Sequence, residues 1–329
     1  MGGRGSGLVD AGLAAAALRL VQQSLGVVAG ERVLVVYDEA HATIAKVFEE
    51  AIRVTKSEPL SFELETLAAR PHVRAHAILT ESAKNVQATI LLFDFRQHEI
   101  QMRAELVALA AQHRLRHAHM VGVGRASIVS GFSVDVRRIT EKARDLLVRL
   151  RPDSRITVKS AAGTNVTIAL SPTCRWLDLG CVVAAGKAMN LPGGELVTCP
   201  ASVDGTYVAD GTLGDAEGAL TRTLAETPLA VHFAAGRVKS IECPRDMALA
   251  RAVSRRIADV VNLDRVGNVV LGVNLGLSSP CGDIASDQKI PGVHLSLGET
   301  FATQTGAAWS CASWIGLTST GSDADVDGA

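Results

Sequence analysis

Apolar segments of two kinds alternate along the first half of the chain. Short runs rich in Val, Ile and Leu have the length of buried strands, and longer segments carry apolar residues at helical spacing. The predicted strands are 32–37, 60–65, 88–95 and 117–123, and the predicted helices are 13–25, 42–54, 73–84 and 100–113. Strands that alternate with helices favour a parallel sheet with helices on both faces. The first half is therefore expected to be an α/β domain with a Rossmann-like sheet.

The hydrophobic pattern changes near residue 151. A helix with charged faces at residues 134–150 is followed by Arg151-Pro152-Asp153, and a proline in that place is a stop signal. We therefore expect two domains, a Rossmann-like α/β domain at residues 1–151 and a second domain at residues 152–329.

The second half carries the pattern of a β-rich α+β domain. Residues 155–160 and 166–170 flank Ala161-Ala162-Gly163-Thr164-Asn165, which predicts a β-hairpin. Short strands separated by Gly, Pro and Asp follow, with one helix near residues 246–261. This arrangement predicts a truncated, barrel-like domain or a strongly bent sheet.

Composition narrows the classes of function. The chain has 329 residues, 47% of them hydrophobic, which is enough for two cores. No apolar run is long enough to span a bilayer and no secretory signal is visible, so we expect a cytoplasmic protein without membrane partners. With 33 basic and 34 acidic residues, the chain offers no electrostatic reason to bind nucleic acid. Its six cysteines lack zinc-finger spacing.

The turn Asn190-Leu191-Pro192-Gly193-Gly194-Glu195 is the first candidate for chemistry. Proline fixes φ and glycine permits positive φ, so Pro-Gly-Gly predicts a tight, irregular turn. Glu195 follows at once and leads into a short strand at residues 196–200. A carboxylate in this place can point into a cleft, although a hairpin connection with a solvated Glu195 also fits the pattern.

Four motifs occur along the chain in an order that resembles one protein family. They are Gly163-Thr164-Asn165-Val166-Thr167, the turn from Asn190 to Glu195, Pro291-Gly292-Val293-His294-Leu295-Ser296-Leu297-Gly298, and Asp325-Val326-Asp327-Gly328. Together they resemble the aminopeptidase T family of metallo-aminopeptidases, whose fold is shared with dihydroxypyridine dioxygenases. The resemblance covers most of the chain and is strongest from about residue 155 onward. It implies a homodimer whose cleft is partly closed by the second subunit.

The resemblance also implies a metal pair in the second domain, and here the sequence departs from the family. Glu195 and His294 match two site positions. At four other positions Asn268 replaces a carboxylate, Phe301 a tyrosine, Trp314 a histidine and Gly316 an aspartate. The Trp N–H only donates, and glycine has no side chain. One Glu and one His are too few for a tight metal site, so we expect neither metal nor cofactor.

The remaining site residues are expected to line a binding cleft. We assign Asn268, Phe301, Trp314, Trp309 and Asp283 to it. Only 4% of the residues are aromatic, so Trp309 and Trp314 stand out as surfaces for an apolar or aromatic group, with core packing as the alternative. Asp283, like Asp287, belongs to a polar loop that leads toward His294, and a solvated loop is the alternative.

His117 and His119 are a separate candidate in the first domain. They lie two residues apart on a predicted strand, so both side chains point to the same face. Metal binding and a solvated sheet end are the two interpretations, and the basic neighbours Arg114 and Arg116 favour the solvated end.

Three functions fit these observations. The predicted one is a metal-free relative of aminopeptidase T that binds a peptide or a peptide-derived small molecule. Its setting would be the biosynthesis of a ribosomally made peptide natural product, with crocagin-type pathways as the suspected case. In the second, Glu195 and His294 form a metal-independent acid/base pair for epimerisation, cyclisation or hydrolysis, which requires them to meet within about 3 Å or at one ligand atom. The third is an active metallo-aminopeptidase with altered ligands, namely Glu195, His294 and Asp283 or Asp287.

Overall fold

The protein forms two compact units. The structure, a computed structural model, describes residues 6–326, and the side chains from residue 11 onward. In this range the first unit contains the chain up to Arg138 together with Cys181–Gly193, and the second contains Ile139–Gly180 and the chain from Gly194. The boundary expected after residue 151 treats each domain as one continuous segment, whereas residues 181–193 return to the first unit.

Eighteen strands occur in the described part of the chain. They are β1 (Arg32–Tyr37), β2 (Glu58–Glu63), β3 (Ala88–Leu92), β4 (Arg116–His119), β5 (Arg155–Ser160), β6 (Asn165–Leu170), β7 (Leu177–Leu179), β8 (Lys187–Asn190), β9 (Glu195–Thr198), β10 (Pro200–Ala209), β11 (Thr212–Asp215), β12 (Arg222–Thr223), β13 (Leu229–Ala234), β14 (Arg237–Glu242), β15 (Val266–Gly272), β16 (Gly292–Gly298), β17 (Trp314–Leu317) and β18 (Ser322–Val326). The motif Asp325-Val326-Asp327-Gly328 is described only in part, because Asp327 and Gly328 lie outside the described residues.

The same part of the chain contains ten α-helices. They are α1 (Ser6–Arg19), α2 (Ala42–Val54), α3 (Leu64–Leu67), α4 (Ala77–Ala83), α5 (Ile100–Gln112), α6 (Arg125–Gly131), α7 (Val136–Arg149), α8 (Met247–Ala258), α9 (Ile284–Asp287) and α10 (Ala302–Thr305). A π-helical segment, Leu20–Ser24, extends α1. No helix among the described residues is both long and apolar enough to cross a bilayer.

A five-stranded parallel sheet is the centre of the first unit. Its order is β2-β1-β3-β4-β8, and every neighbouring pair runs parallel. Alternate side chains of a strand point to opposite faces, so Val33 and Val35 enter one core and Leu34 and Val36 the other. Residues of α1 and α2 pack in the first core, and residues of α4 and α5 pack in the second. The predicted parallel sheet with helices on both faces is confirmed.

The fifth strand of this sheet, β8, is absent from the sequence prediction. Its residues are Lys187, Ala188, Met189 and Asn190, none of them β-branched, and three of the four are exposed. An edge strand buries little of its surface, so its sequence need not show the apolar run that marked the inner strands.

Two antiparallel sheets build the second unit. One has six strands in the order β14-β13-β10-β6-β5-β18, and the other has seven in the order β12-β11-β17-β16-β15-β9-β7. The predicted hairpin is the pair β5 and β6. The β-rich α+β character is confirmed, and neither sheet closes into a barrel within residues 139–180 and 194–326.

The two faces of the seven-stranded sheet differ in chemistry. Directly paired residues share a face, which makes Leu271, Val293 and Leu317 part of one apolar face. The other face carries mostly small or polar residues, together with Val197 and Val270. The small or polar residues are Glu195, Asn268, Gly272, His294, Ser296, Gly316 and Gly214. We call this second face the polar face. The strand positions that the sequence marked for chemistry lie on it, including Trp314, which pairs with Gly298.

Candidate functional site

The Pro-Gly-Gly turn delivers Glu195 to the start of β9. Gly194 has φ +110°, and a Cβ on it would lie 2.9 Å from Ile139 Cγ2. A side chain at this position is therefore excluded both by the backbone conformation and by the close approach of Ile139. The backbone N–H of Gly194 donates to Leu179 O at 3.1 Å, which fixes the turn against β7.

Glu195 is buried, so the hairpin interpretation with a solvated carboxylate is wrong. Only 2% of Glu195 is exposed, and burial raises the pKa of its carboxyl. Lys289, equally buried, places its Nζ 3.9 Å from Glu195 Oε1 and opposes that rise in pKa. The Oε2 atom has no hydrogen-bond partner among the described residues. Glu195 thus faces a built-in lysine rather than solvent.

His294 is held in one tautomer by two backbone groups. The backbone N–H of Ser319 donates to Nδ1 at 3.3 Å, so the ring proton is on Nε2, which donates to Ile290 O at 2.9 Å. Burial lowers the pKa of His294 to about 4. Both ring nitrogens are engaged, and the ring is neutral at pH 7.

Glu195 and His294 share a face but do not meet. Glu195 pairs with Gly272 of β15, whereas His294 pairs with Val270, so two strand spacings of about 4.8 Å separate their strands. The backbone carbonyl of Ile290 lies over Gly272, where a Cβ would collide with it. Glu195 Oε1 faces Lys289 Nζ, and His294 Nε2 donates to Ile290 O, so neighbouring residues of one segment engage the two side chains separately.

We call residues 281–290 the capping segment, because it covers the polar face. Ile284 packs on two glycines of the sheet: a Cβ on Gly316 would lie 2.9 Å from Ile284 Cγ1, and one on Gly214 would lie 2.6 Å from Ile284 Cγ2. The position that the resemblance assigns to an aspartate is therefore filled by an isoleucine from above. A side chain at residue 316 therefore requires the Ile284 side chain to shift.

Asp287 and Asp283 hold the capping segment in shape. Asp287 accepts hydrogen bonds from the backbone N–H groups of Cys281 and Gly282, both at 2.9 Å, and from Thr212 Oγ1 at 2.6 Å. Asp283 caps α9 by accepting from the N–H of Ala285 at 3.1 Å and from Ser286 Oγ at 2.6 Å. Both carboxylates are thus engaged locally, and burial raises the pKa of Asp283.

The other residues assigned to the cleft each make their own contacts within the second unit. Asn268 is buried and donates from Nδ2 to Glu299 O at 2.6 Å, while its Oδ1 lacks a partner among the described residues. Phe301 is 38% exposed at the start of α10 with φ +48°. Trp309 is stacked by the Arg265 guanidinium, 3.9 Å from the ring centroid. Trp314 is half-buried and pairs with Gly298.

The donor set does not fit a metal ion. The group of three close His, Cys, Asp or Glu side chains found in the described part of the chain is Asp38, His41 and Asp94, in the first unit. There the Arg70 guanidinium lies 2.7 Å from Asp38 Oδ2. It occupies the position beside this carboxylate in which a metal cation would have to bind. In the second unit Glu195 and His294 are separated, and an ammonium group already lies beside Glu195.

His117 and His119 also differ from expectation. His117 is 1% exposed, and burial lowers the pKa of His117 to about 4 and that of His119 to about 3. Arg103 donates to His119 Nε2 at 3.0 Å, His119 Nδ1 donates to His117 Nε2 at 3.4 Å, and His117 Nδ1 donates to Thr89 Oγ1 at 2.6 Å. The solvated interpretation is wrong, since the pair belongs to a buried polar chain.

Sequence reasoning missed Lys289 and Ile284, which decide the chemistry of the polar face. A signal was present in the glycines at 214, 272 and 316, which fall in three different strands of one sheet. Glycine within a strand marks a site where another backbone or side chain approaches closely. Without the register of the strands, these positions could not be assigned to a common face.

The arrangement of a parallel α/β unit followed by two antiparallel sheets defines the class of fold. No protein-family model and no curated protein sequence matches the chain. Among solved structures, 2,5-dihydroxypyridine dioxygenase from Pseudomonas putida KT2440 is similar with a TM-score of 0.63 and 16% identity, over 96% of this chain and 93% of that one. AmpT from Thermus thermophilus has a TM-score of 0.61 and 13% identity, over 96% and 94%.

The comparisons confirm the resemblance in fold. The chain has the fold that aminopeptidase T shares with dihydroxypyridine dioxygenase. Since one fold serves proteins named for different reactions, the likeness does not assign an activity, and function has to be argued from the residues of the site.

Proposed function

We propose that this chain is a metal-independent binding protein for a peptide or a peptide-derived small molecule. One observation carries the proposal: Lys289 lies beside Glu195, and the backbone carbonyl of the next residue, Ile290, accepts the hydrogen bond of His294. The two residues that survive from the ligand set implied by the resemblance are thus held by the protein's own capping segment.

The chemistry of hydrolysis explains why this arrangement argues against a metallopeptidase. A catalytic zinc site needs several ligands that converge on the ion and an open position for water. Here the ammonium group of Lys289 supplies positive charge next to Glu195, and Ile284 fills the space above Gly316. The substitutions at the expected ligand positions remove groups that would bind an ion. The capping segment occupies the space that an ion and its water would need, so both observations agree.

The acid/base alternative finds no support in the geometry. A general acid and base must reach one substrate atom, whereas Glu195 and His294 stand on strands two spacings apart and contact different groups, Lys289 Nζ and Ile290 O. Both ring nitrogens of His294 are engaged by Ser319 and Ile290. The third function, a metallo-aminopeptidase using Asp283 or Asp287, would need carboxylates that are hydrogen-bonded within the capping segment.

The choice of a peptide as ligand rests on the shared fold. A structural neighbour is AmpT, an aminopeptidase, and the chain carries the four motifs of the resemblance in the order seen in that family. A binding protein of this kind has a place in the biosynthesis of a ribosomally made peptide natural product, where a precursor must be held for other enzymes. We propose this setting together with the function.

Three measurements on the purified protein test the proposal. The protein is exposed to zinc, iron and manganese, desalted, and its metal content is measured by elemental mass spectrometry. The same sample is assayed for aminopeptidase activity and titrated by calorimetry with peptides that carry apolar or aromatic residues. We expect metal well below one equivalent, no hydrolysis, and saturable peptide binding.

The opposite outcomes are equally informative. One equivalent of metal that is lost in Glu195→Gln and His294→Ala would show that these residues converge in solution, and the proposal would fail. Metal-free hydrolysis abolished by the same substitutions would favour the acid/base function. Absence of binding to every peptide would remove the basis for a peptide ligand.

A further inference from the structure

The second unit contains a concave pocket. Its volume is about 440 Å³, within the range of small-molecule sites. We call it the Trp176 pocket. It is lined by Leu150, Pro152, Leu170, Ser171, Pro172, Thr173, Cys174, Arg175, Trp176 and Thr198. None of these residues belongs to the set that the sequence marked for function.

The lining has an apolar body and a single formal charge. Leu150, Leu170, the two prolines and Trp176 form apolar wall, and Ser171, Thr173 and Thr198 contribute hydroxyl groups. Arg175 is the cation, and no Asp or Glu is among the lining residues. A pocket of this composition favours a ligand with an apolar or aromatic body and one negative charge, because a cationic ligand would find repulsion and no counter-charge.

Arg175 is fixed at its backbone while its guanidinium has no ion pair among the described residues. Its N–H donates to Thr305 O at 2.8 Å, and its C=O accepts from Thr198 Oγ1 at 3.1 Å. The side chain is exposed at the pocket. A guanidinium presents paired donors that match the two oxygens of a carboxylate, so this residue is suited to hold one.

The buried thiol of Cys199, next to the pocket, is not suited to nucleophilic chemistry. Cys199 follows the lining residue Thr198 in the chain and interacts with Cys174. Burial, assisted by the neighbouring Cys174, raises the pKa of Cys199 to about 12. A thiol with such a pKa stays protonated at pH 7 and is a poor nucleophile.

We propose that the Trp176 pocket binds the C-terminal residue of a peptide, with its apolar or aromatic side chain against Trp176 and its free carboxylate on Arg175. This inference rests on the proposed function, and it specifies that the protein recognises the C-terminal end of the peptide. It also moves the binding site away from Glu195 and His294.

Paired probes test this assignment on the full chain. The tripeptide Ala-Ala-Phe is titrated with a free C-terminal acid and as its C-terminal amide, and tryptophan fluorescence and calorimetry follow binding. N-acetylphenylalanine and its amide serve as single-residue probes. We expect the acid to bind roughly tenfold more tightly than the amide in each pair, as one charge-assisted hydrogen-bond pair predicts.

Matched variants locate the interaction. Arg175→Gln should remove the difference between acid and amide, whereas Arg251→Gln, a substitution of an exposed arginine in α8, should preserve it. Trp176→Phe should abolish the fluorescence change and keep saturable binding in the calorimeter. Equal affinity of acid and amide, or an acid preference that survives Arg175→Gln, would overturn the assignment.

The outcomes separate this inference from the proposed function. If the tripeptides bind and Arg175→Gln has no effect, the pocket assignment fails and peptide binding stands. If N-acetylphenylalanine binds in an Arg175-dependent way but no peptide binds, the pocket stands as a site for small carboxylic acids and the proposed function fails.

Discussion

The buried His294 ring makes the free energy of unfolding depend on pH. Burial lowers the pKa of His294 to about 4, whereas an unperturbed histidine titrates near about 6.5. Between these values the unfolded chain binds a proton that the folded protein excludes. The free energy of unfolding therefore falls as pH falls from about 6.5 to 4, and this loss is absent above the upper value.

Substitution of His294 by Gln isolates this contribution. The amide of Gln can donate to Ile290 O but does not titrate. At pH 5 the loss due to His294 amounts to about 2 kcal/mol relative to pH 7, so His294→Gln should lose that much less stability over the same interval. Urea denaturation of both proteins at the two pH values measures the difference. His117 and His119 titrate in both proteins and cancel, and an equal loss in both would contradict the buried neutral state of His294.

The Lys289–Glu195 pair is a second residue-scale feature with a measurable consequence. Lys289→Met leaves a fully buried carboxylate without its counter-charge, which typically costs about 3 kcal/mol or more. Adding Glu195→Gln removes the uncompensated charge. The double variant should therefore recover most of the lost free energy of unfolding. Chemical denaturation of the two single variants and the double variant gives the coupling free energy.

A surface lysine provides the comparison for this cycle. Lys239 is exposed on β14, and Lys239→Met should change the free energy of unfolding by less than about 0.5 kcal/mol. If Lys289→Met behaves like Lys239→Met, or if the double variant shows no recovery, the ammonium group does not compensate Glu195.

At the scale of elements, the capping segment is seated by glycines in the strands beneath it. Gly316→Ala places a methyl group 2.9 Å from Ile284 Cγ1, and such overpacking costs about 1–3 kcal/mol. Ile284→Ala removes the side chain that the methyl would meet. The double variant should therefore be more stable than the sum of the two single effects, by about 1 kcal/mol.

Denaturant unfolding of the four proteins in that cycle measures the coupling. Combining Gly316→Ala with Leu275→Ala, at an exposed residue, should give simple additivity. Additivity in the Ile284 cycle as well would mean that the capping segment does not rest on Gly316.

Helices and strands with a regular hydrophobic pattern were predictable, because buried apolar positions recur in them at a fixed spacing. The strand 32–37 and the helix 42–54 have the bounds that the pattern predicts, and the strand 155–160 does as well. The edge strand β8 has no such pattern, since its side chains are largely exposed. The capping segment is polar in sequence, and its burial comes from long-range contacts with Thr212, Gly214 and Gly316 that no local pattern encodes.

The residues of the candidate site were predictable, but their arrangement was not. The motifs pointed to Glu195, Asn268, His294 and Gly316, and the strand pairing does place these four on one face. Their separation depends on which segment crosses that face. Lys289 is an ordinary lysine in the sequence and becomes the counter-charge of Glu195 only through the fold.

For the whole molecule, the homodimer implied by the resemblance stays a prediction. Light scattering coupled to size-exclusion chromatography should give twice the mass of the chain, which is 34.5 kDa. Because a genuine dimer dissociates by mass action, the measured mass should decline on dilution below the dissociation constant. A mass of one chain at every concentration would contradict the prediction.

The return of residues 181–193 to the first unit constrains how this protein can be divided or recombined. The backbone passes between the units three times, after Arg138, Gly180 and Gly193. A fragment ending at residue 151 would lack β8 and leave one edge of β4 unpaired, and such an edge invites association with other chains. A single crossover point in the chain therefore cannot exchange one unit intact.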